Sequence, residues 1–311
     1  METGDLKMID SKKIKEFARK AGADIVGIGS MGAFEGTAPE KDPRFIAPNA
    51  KSIIGLAFRV LRGALRGVEE QTQYFQLPAM GIVHIDEVYA PKVLREVCCF
   101  LEDNGYEGVV QRSVPERRHV SDKGNNPELD STFKIKFARS VGDGKPAPEV
   151  LMDFDQAAVV CGLGQSGSGG FVLTERFGPL QRFAFILTDL ELEPDSPAPD
   201  VCDNCGKCIA ACPGKAINAD GTLDEWQCSA YRKGADFASN PFLQKEDAEL
   251  FPERFNEESY NKHKGILTTS YKNLRFDYNA AICGLACRCA CLEHLENDGV
   301  LKDKFINKFR P

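Results

Sequence analysis

Apolar residues recur along the first 195 positions with two alternating periods. In residues 9–28, IDSKKIKEFARKAGADIVGI, the side chains of Ile14, Phe17, Ala18 and Ala21 share one face at helical spacing, with Ser11 as the predicted N-cap. Gly22 ends that helix, and residues 24–28 read as a strand. Residues 51–58, KSIIGLAF, form a short apolar run and predict a second, buried strand. Residues 87–104, EVYAPKVLREVCCFLEDN, return to helical spacing and predict an amphipathic helix that stops at Asn104 and Gly105. Helix and strand patterns keep alternating to about residue 195, which predicts a mixed α/β or α+β domain.

The periodicity then fails. Residues 193–200, EPDSPAPD, are Pro-rich and read as a hinge between a domain at 1–195 and a second at 196–311. The second carries a long polar insertion at about 234–280. No repeat of 20–50 residues is visible, which excludes a solenoid. A length of 311 residues suits two domains, and 42% hydrophobic with 27% charged residues excludes wholesale disorder. No apolar run reaches the roughly 18 residues of a membrane helix. The start, METGDLKMIDSKKIKEF, has no apolar core of the secretory kind, so a cytoplasmic location without membrane contact is expected. Net charge is −7 with no dominant basic stripe, which argues against nucleic acid as the main partner. Arg59, Arg62 and Arg66 are spaced to share a face if that stretch is helical.

Cysteine changes the picture. Of twelve cysteines, nine lie from Cys202 to Cys291. In a chain without an export signal, clustered thiols point to metal and not to disulfides. Cys202, Cys205, Cys208 and Cys212, followed by Pro213, have the spacing C-x2-C-x2-C-x3-C-P. Three thiolates on a tight loop cap one iron–sulfur cubane, and the fourth points to another cluster. Zinc sites use two separated C-x2-C pairs instead. The further ligands are Cys228 and the block Cys283, Cys287, Cys291, read as one helical face at i, i+4, i+8. Crossed pairing then gives Cys202, Cys205, Cys208 and Cys291 to one [4Fe–4S] cluster, and Cys212, Cys228, Cys283 and Cys287 to the other. Cys289 lies off that face and reads as a spare thiol, with a one-position exchange left open.

Residues 157–167, AAVVCGLGQSG, match G-x-G-x-x-G. A dinucleotide turn needs a helix after the glycines. Here SGGFVLT follows, a strand pattern, so the segment reads as a tight loop whose glycines permit close backbone approach.

Gly162-Leu163-Gly164, then Thr174 with Phe177-Gly178-Pro179, then residues 186–195 (ILTDLELEPD), then the cysteine motif, resemble the epoxyqueuosine reductase and reductive dehalogenase superfamily. The strand pair ADIVGI and KSIIGLA resembles that superfamily's nitroreductase-like corrinoid domain. The resemblance implies an α+β fold: a nitroreductase-like α/β domain followed by a bacterial-ferredoxin-like domain with two [4Fe–4S] clusters. It also implies base-off cobalamin between the domains. Gly162, Leu163, Gly164, Gly167, Thr188 and Asp189 are the candidate cofactor contacts, and Asp153, Asp155 and Tyr106 the candidate catalytic groups. The chain departs from the family in its C-x3-C-x3-C block, where C-x2-C-x3-C is usual, and in the placing of its carboxylates ahead of the GLG turn. It also shows no C-terminal helical-repeat extension and no twin-Arg leader.

Other residues have plainer readings. His84, His119, His263 and His294 read as surface or packing residues, Arg117-Arg118-His119 as a solvated loop, and Cys98, Cys99 and Cys161 as packing thiols. Tyr74 and Tyr89 join Tyr106 as proton donors that the sequence does not rank. The expected function is a cobalamin-dependent iron–sulfur reductase of a small organic substrate, fed by a low-potential donor such as ferredoxin or flavodoxin. An electron-transfer protein or reductive activator of a corrinoid partner, a flavin-dependent redox protein, and an epoxyqueuosine reductase acting on tRNA are the alternatives.

Overall fold

The computed structural model describes residues 9–113, 139–148, 150–267, 270–272 and 277–309. The first apolar stripe folds as helix α1, Ser11–Ala21. Its N-cap is Asp10 and not Ser11: the Asp10 carboxylate accepts from the Lys13 N–H at 2.8 Å, and Ser11 Oγ donates to the Glu193 carbonyl. A carboxylate both caps the free amides and meets the positive end of the helix dipole. Strands β1 (Ile25–Ser30) and β2 (Ser52–Arg59) follow, as the patterning predicts. The predicted helix at 87–104 is α2, Ala90–Glu102, and it is led in by two π-helical segments, Ala79–Val83 and Ile85–Tyr89.

Strand β3 is Gly108–Arg112, helix α3 is Phe154–Val160, and strands β4 (Gln165–Gly167) and β5 (Phe171–Leu173) form a hairpin. The last strand of this half is β6, Gln181–Thr188. The main sheet has the order β1-β2-β6-β3, and each of its pairs is antiparallel, so the first half is α+β and not a parallel α/β unit. One face packs on α1 and α2 through Ile14, Ala18, Val93 and Val97, the other on α3 through Ala157 and Ala158. Helices cover both faces, which is why seven of the eight residues of β2 are buried and its sequence reads as an unbroken apolar run.

The Pro-rich stretch at 193–200 is strapped down. Asp195 N–H donates to the Ile28 carbonyl at 2.8 Å, its carboxylate accepts from the Ile28 N–H and pairs with Lys15, and Gln165 Nε2 donates to the Ala198 carbonyl. Beyond it come α4 (Lys207–Ala210), α5 (Glu225–Arg232), α6 (Glu257–Leu267), the hairpin β7 (Ser270–Lys272) and β8 (Asp277–Asn279), and α7 (Ala286–Asn297). The insertion has a small core of its own, with Phe255, Tyr260 and Leu267 packed beside Trp226. It docks on the first half, where Tyr74 Oη donates to the Ser239 carbonyl and the Tyr74 ring meets Phe242 edge-on.

Arg59, Arg62 and Arg66 do not share a helix face. Arg59 ends β2 and pairs with Asp24, while Arg62 pairs with Glu296 and lies against the rings of Phe305 and Phe309. Arg66 donates to the Phe309 carbonyl. These cations hold the C-terminal stretch in place. No described helix is long and apolar enough to cross a membrane.

Candidate metal centres

The loop ahead of α4 winds through two left-handed residues, Asn204 (φ 59°) and Gly206 (φ 71°), which lets it curl around a small volume. Cys202, Cys205 and Cys208 line a cavity there, and the fourth thiol on it is Cys291, from the second turn of α7. Cys208 is buried and Cys205 is exposed, so this outer set reaches the surface. Cys212, just past α4, Cys228 on α5, Cys283, and Cys287 in the first turn of α7 form a second, inner group.

The electrostatics largely follow the same grouping, although Cys287 of the inner group also acts on Cys291 of the outer one. Burial pushes the Cys291 thiol up to about 12, and Cys208, Cys202 and Cys205 add to the rise. Burial pushes Cys228 to about 11, with Cys283 and Cys212 adding and Arg232 and Arg288 opposing. Burial likewise lifts Cys287 to about 12, opposed by Arg288 and reinforced by Cys283, Cys228 and Cys212. Cys208 and Cys283 are also raised, first by burial. Crowded thiols of this kind keep their protons at neutral pH until a metal displaces them. Four converging soft sulfur donors, drawn from this loop spacing, fit one [4Fe–4S] cluster per set.

One detail of the sequence reading is corrected. Cys283 is not on the helix: Gly284 (φ 59°) and Leu285 (φ 54°) break the chain before α7 begins at Ala286. The break re-aims Cys283, which would otherwise have continued the Cys287–Cys291 stripe. Cys289 is buried and its Sγ donates to the Gly284 carbonyl at 3.3 Å, as expected of a spare thiol. Amide donors complete the surroundings. Cys202 Sγ accepts from the Ser168 N–H at 3.5 Å, and Cys212 Sγ from the Ala216 N–H at 3.3 Å.

Ser168 belongs to the β4–β5 turn, so the first half reaches the outer set. Gly167 is part of this contact, since a Cβ there would stand 3.4 Å from Cys202 Sγ. It therefore lines the cavity of the outer cysteine set. A Cβ on Gly164 would fall 2.2 Å from the Leu173 carbonyl oxygen, and one on Gly162 (φ 64°) 2.6 Å from the Ser196 carbonyl oxygen. The bodies that approach these glycines are the chain's own strand and hinge. Leu163 is buried in the core.

Thr188 Oγ1 accepts from the Leu190 N–H, and Asp189 Oδ1 from the Glu107 N–H, closing the end of β6. Tyr106 packs near that end, and the seven residues from Arg182 to Thr188 span about 20 Å of strand. Asp153 caps α3, accepting from the Asp155 and Gln156 N–H groups at 3.0 and 3.1 Å. Asp155 sits in the first turn of α3 and acts on Arg288. Tyr74 and Tyr89 are engaged by the Ser239 and Gly22 carbonyls, and Cys161 Sγ by that of Ile53. The structure thus brings the eight ligand candidates together in two groups and leaves the corrinoid candidates dispersed. Among the described residues, each of those candidates has a partner within the chain's own fold.

Two features went unseen in the sequence. His294 is buried one turn beyond Cys291; its Nδ1 faces Lys207 Nζ at 3.0 Å and its Nε2 faces Asp203 Oδ2 at 2.7 Å. An ammonium only donates, so Nδ1 accepts and Nε2–H donates. That hydrogen bond holds the Asp203 carboxyl below the usual range. The i+3 spacing from Cys291 was the available signal. Arg288, beside Cys287, is the second feature. His84 lies against Met80 Sδ and His263 is buried in the insertion, while Arg117, Arg118 and His119 lie outside the described residues.

No family model matches the chain. Named relatives do. The tetrachloroethene reductive dehalogenase of Dehalobacter restrictus is 38% identical over 92 residues, covering 28% of this chain and 16% of that protein. The epoxyqueuosine reductase of Bacillus subtilis is 23% identical over 248 residues, covering 71% of this chain and 54% of that protein, so the match spans about half its length. The structure of epoxyqueuosine reductase from Streptococcus thermophilus superposes with a TM-score of 0.50 at 17% identity, over 89% of this chain and 65% of that one. The superfamily that the motifs resemble is the one to which these named relatives point, and its mixed helix–sheet fold is the fold found here.

Proposed function

We propose that the chain is an iron–sulfur oxidoreductase of the epoxyqueuosine reductase and reductive dehalogenase kind, with two [4Fe–4S] clusters held by the two cysteine sets. The observation that carries this reading is the division of eight cysteines into two converging groups of four. Bound clusters supply one-electron storage at low potential. The chain's own residues arrange the rest. Exposed Cys205 gives a low-potential donor such as ferredoxin or flavodoxin an approach to the outer set. Cys287 and Cys291, one helical turn apart on α7, tie the outer set to the inner one. The inner set adjoins Arg288, which reaches the first half through Pro179 and Phe171. The reduced group is therefore expected on that side, with a small organic molecule as substrate.

Iron and acid-labile sulfide analysis tests the reading: eight of each per chain are expected, and four irons or bound zinc would overturn it. The visible spectrum of protein supplied with cobalamin and flavin identifies any further redox group by corrin or flavin bands. An iron–sulfur spectrum alone favours an electron-transfer role. The relatives named epoxyqueuosine reductase favour a second reading, in which a modified tRNA is the substrate. That reading runs against the expectation, drawn from net charge, that nucleic acid is not the main partner. Appearance of queuosine in epoxyqueuosine-containing tRNA, with a low-potential reductant and cobalamin present, would establish that reading over the small-molecule one.

A further inference from the structure

The two cysteine sets sit in unequal charge. Arg288 is held between α7 and the first half: its Nη1 donates to the Pro179 carbonyl at 2.6 Å, and its guanidinium lies 4.8 Å from the centre of the Phe171 ring. Arg232 ends α5 one turn after Cys228, so both project from the same side of that helix. The outer set has weaker company. Lys207 is exposed and hydrogen-bonded to His294, and the acidic side chains of Asp200 and Asp203 flank Cys202.

We propose that Arg288 and Arg232 are positioning charges that make the inner set the easier of the two to reduce, so that each electron is drawn inward. The inference rests on the two-cluster reading above. Adding an electron adds one negative charge, and a fixed cation in a half-buried site stabilises that charge more than a solvated one does. Arg288 directly follows Cys287 on α7 and Arg232 lies one helical turn from Cys228 on α5, so each cation is tied by its own helix to an inner ligand. The transfer balances simply. One electron leaves the outer set, which is oxidised by one, and enters the inner set, which is reduced by one, with no bond made or broken. A low-potential one-electron donor, dithionite in the test, restores the outer set.

The experiment is a redox titration of the eight-iron protein followed by electron paramagnetic resonance. Cys228→Ser identifies which signal is the inner one. Arg288→Gln should lower the inner midpoint and leave the outer one in place, with about a tenfold loss of reduced inner set at a fixed potential, or ~59 mV for a one-electron couple. Arg232→Gln should shift the same midpoint in the same direction, and Arg288→Lys, which keeps the charge, should restore much of it. If Arg288→Gln fails to assemble, Arg232→Gln and Arg288→Lys still decide. Eight irons with unmoved or equally shifted midpoints would overturn the charge proposal alone, whereas four irons in the unaltered protein would overturn the reading beneath it.

Discussion

The sheet half and the cysteine half of the molecule share one apolar core but build on it differently. In the first, β2 and β6 run side by side between helices, and Phe185, Ile186 and Leu187 have no exposed surface. In the second, α4 is four residues long, and α7 devotes Cys287, Cys289 and Cys291 to positions where a packing helix would carry Leu or Ile. Helices that short are unstable alone. The difference teaches that burial specifies the sheet, while in the second half Leu292 and Leu295 anchor α7 to the same core and the two-cluster reading leaves the short α4 loop to its thiols.

Iron removal is the strongest way to break the comparison. Structural metal sites supply on the order of 10 kcal/mol to folding. Chelation should therefore abolish amide-exchange protection across residues 202–212 and 283–297 while β2 and β6 stay protected. Uniform loss of protection would show that the halves are not distinct.

The converse perturbation is Phe185→Ala, which empties a fully buried site between Phe154 and Phe183. A loss of about 3–5 kcal/mol is expected from the denaturant midpoint. The folded fraction should still bind eight irons. A smaller effect should come from Gly164→Val. Sequence reasoning predicts that this change releases cobalamin and spares the fold. The Leu173 carbonyl oxygen, 2.2 Å from the added Cβ, predicts instead a stability loss of about 1–3 kcal/mol, readable in a thermal melt without any cofactor.

The smallest effect belongs to the insertion. Burial lowers the pKa of His263, with Lys262 adding to the shift. The unfolded chain takes up a proton near pH 6.5, and the folded insertion resists doing so until lower pH. More protons are bound in the unfolded state through that window, so stability falls as pH drops below about 6.5. Protection at residues 255–267, corrected for the intrinsic pH dependence of amide exchange, should fall between pH 7 and 5.5, and His263→Phe should flatten that response.

Much of this was legible in the sequence. The C-x2-C-x2-C-x3-C-P run gives a ligand set because its spacing is local, and the strands of residues 25–59 show in their apolar runs. The partner of β2 did not show, because β6 lies more than 120 residues away and nothing local encodes that pairing. The cap made by Asp153 was hidden for a related reason. An aspartate ahead of an apolar helix is ambiguous between acid and cap until its oxygens are seen accepting two amides. Thr188 and Asp189 likewise look like a motif, yet their side chains close a turn. The glycines at 162 and 164 signal close approach correctly, but only the fold reveals what approaches. Arg288 had no pattern to mark it, since its role depends on Phe171 and Pro179, more than 100 residues earlier.

The crossing of the two cysteine sets has a consequence for synthesis on the ribosome. Cys291 follows Cys208 by 83 residues, and Cys287 follows Cys212 by 75. At about 5–20 residues per second, each incomplete set waits on the order of 4–17 s for its last ligand. During that interval β1, β2, β3 and β6 are all already translated. The sheet can therefore form while the thiols ahead of α7 stand open to oxygen. Both sets then reach completion within four residues of one another. On the two-cluster reading, cluster delivery is therefore a late and nearly simultaneous event.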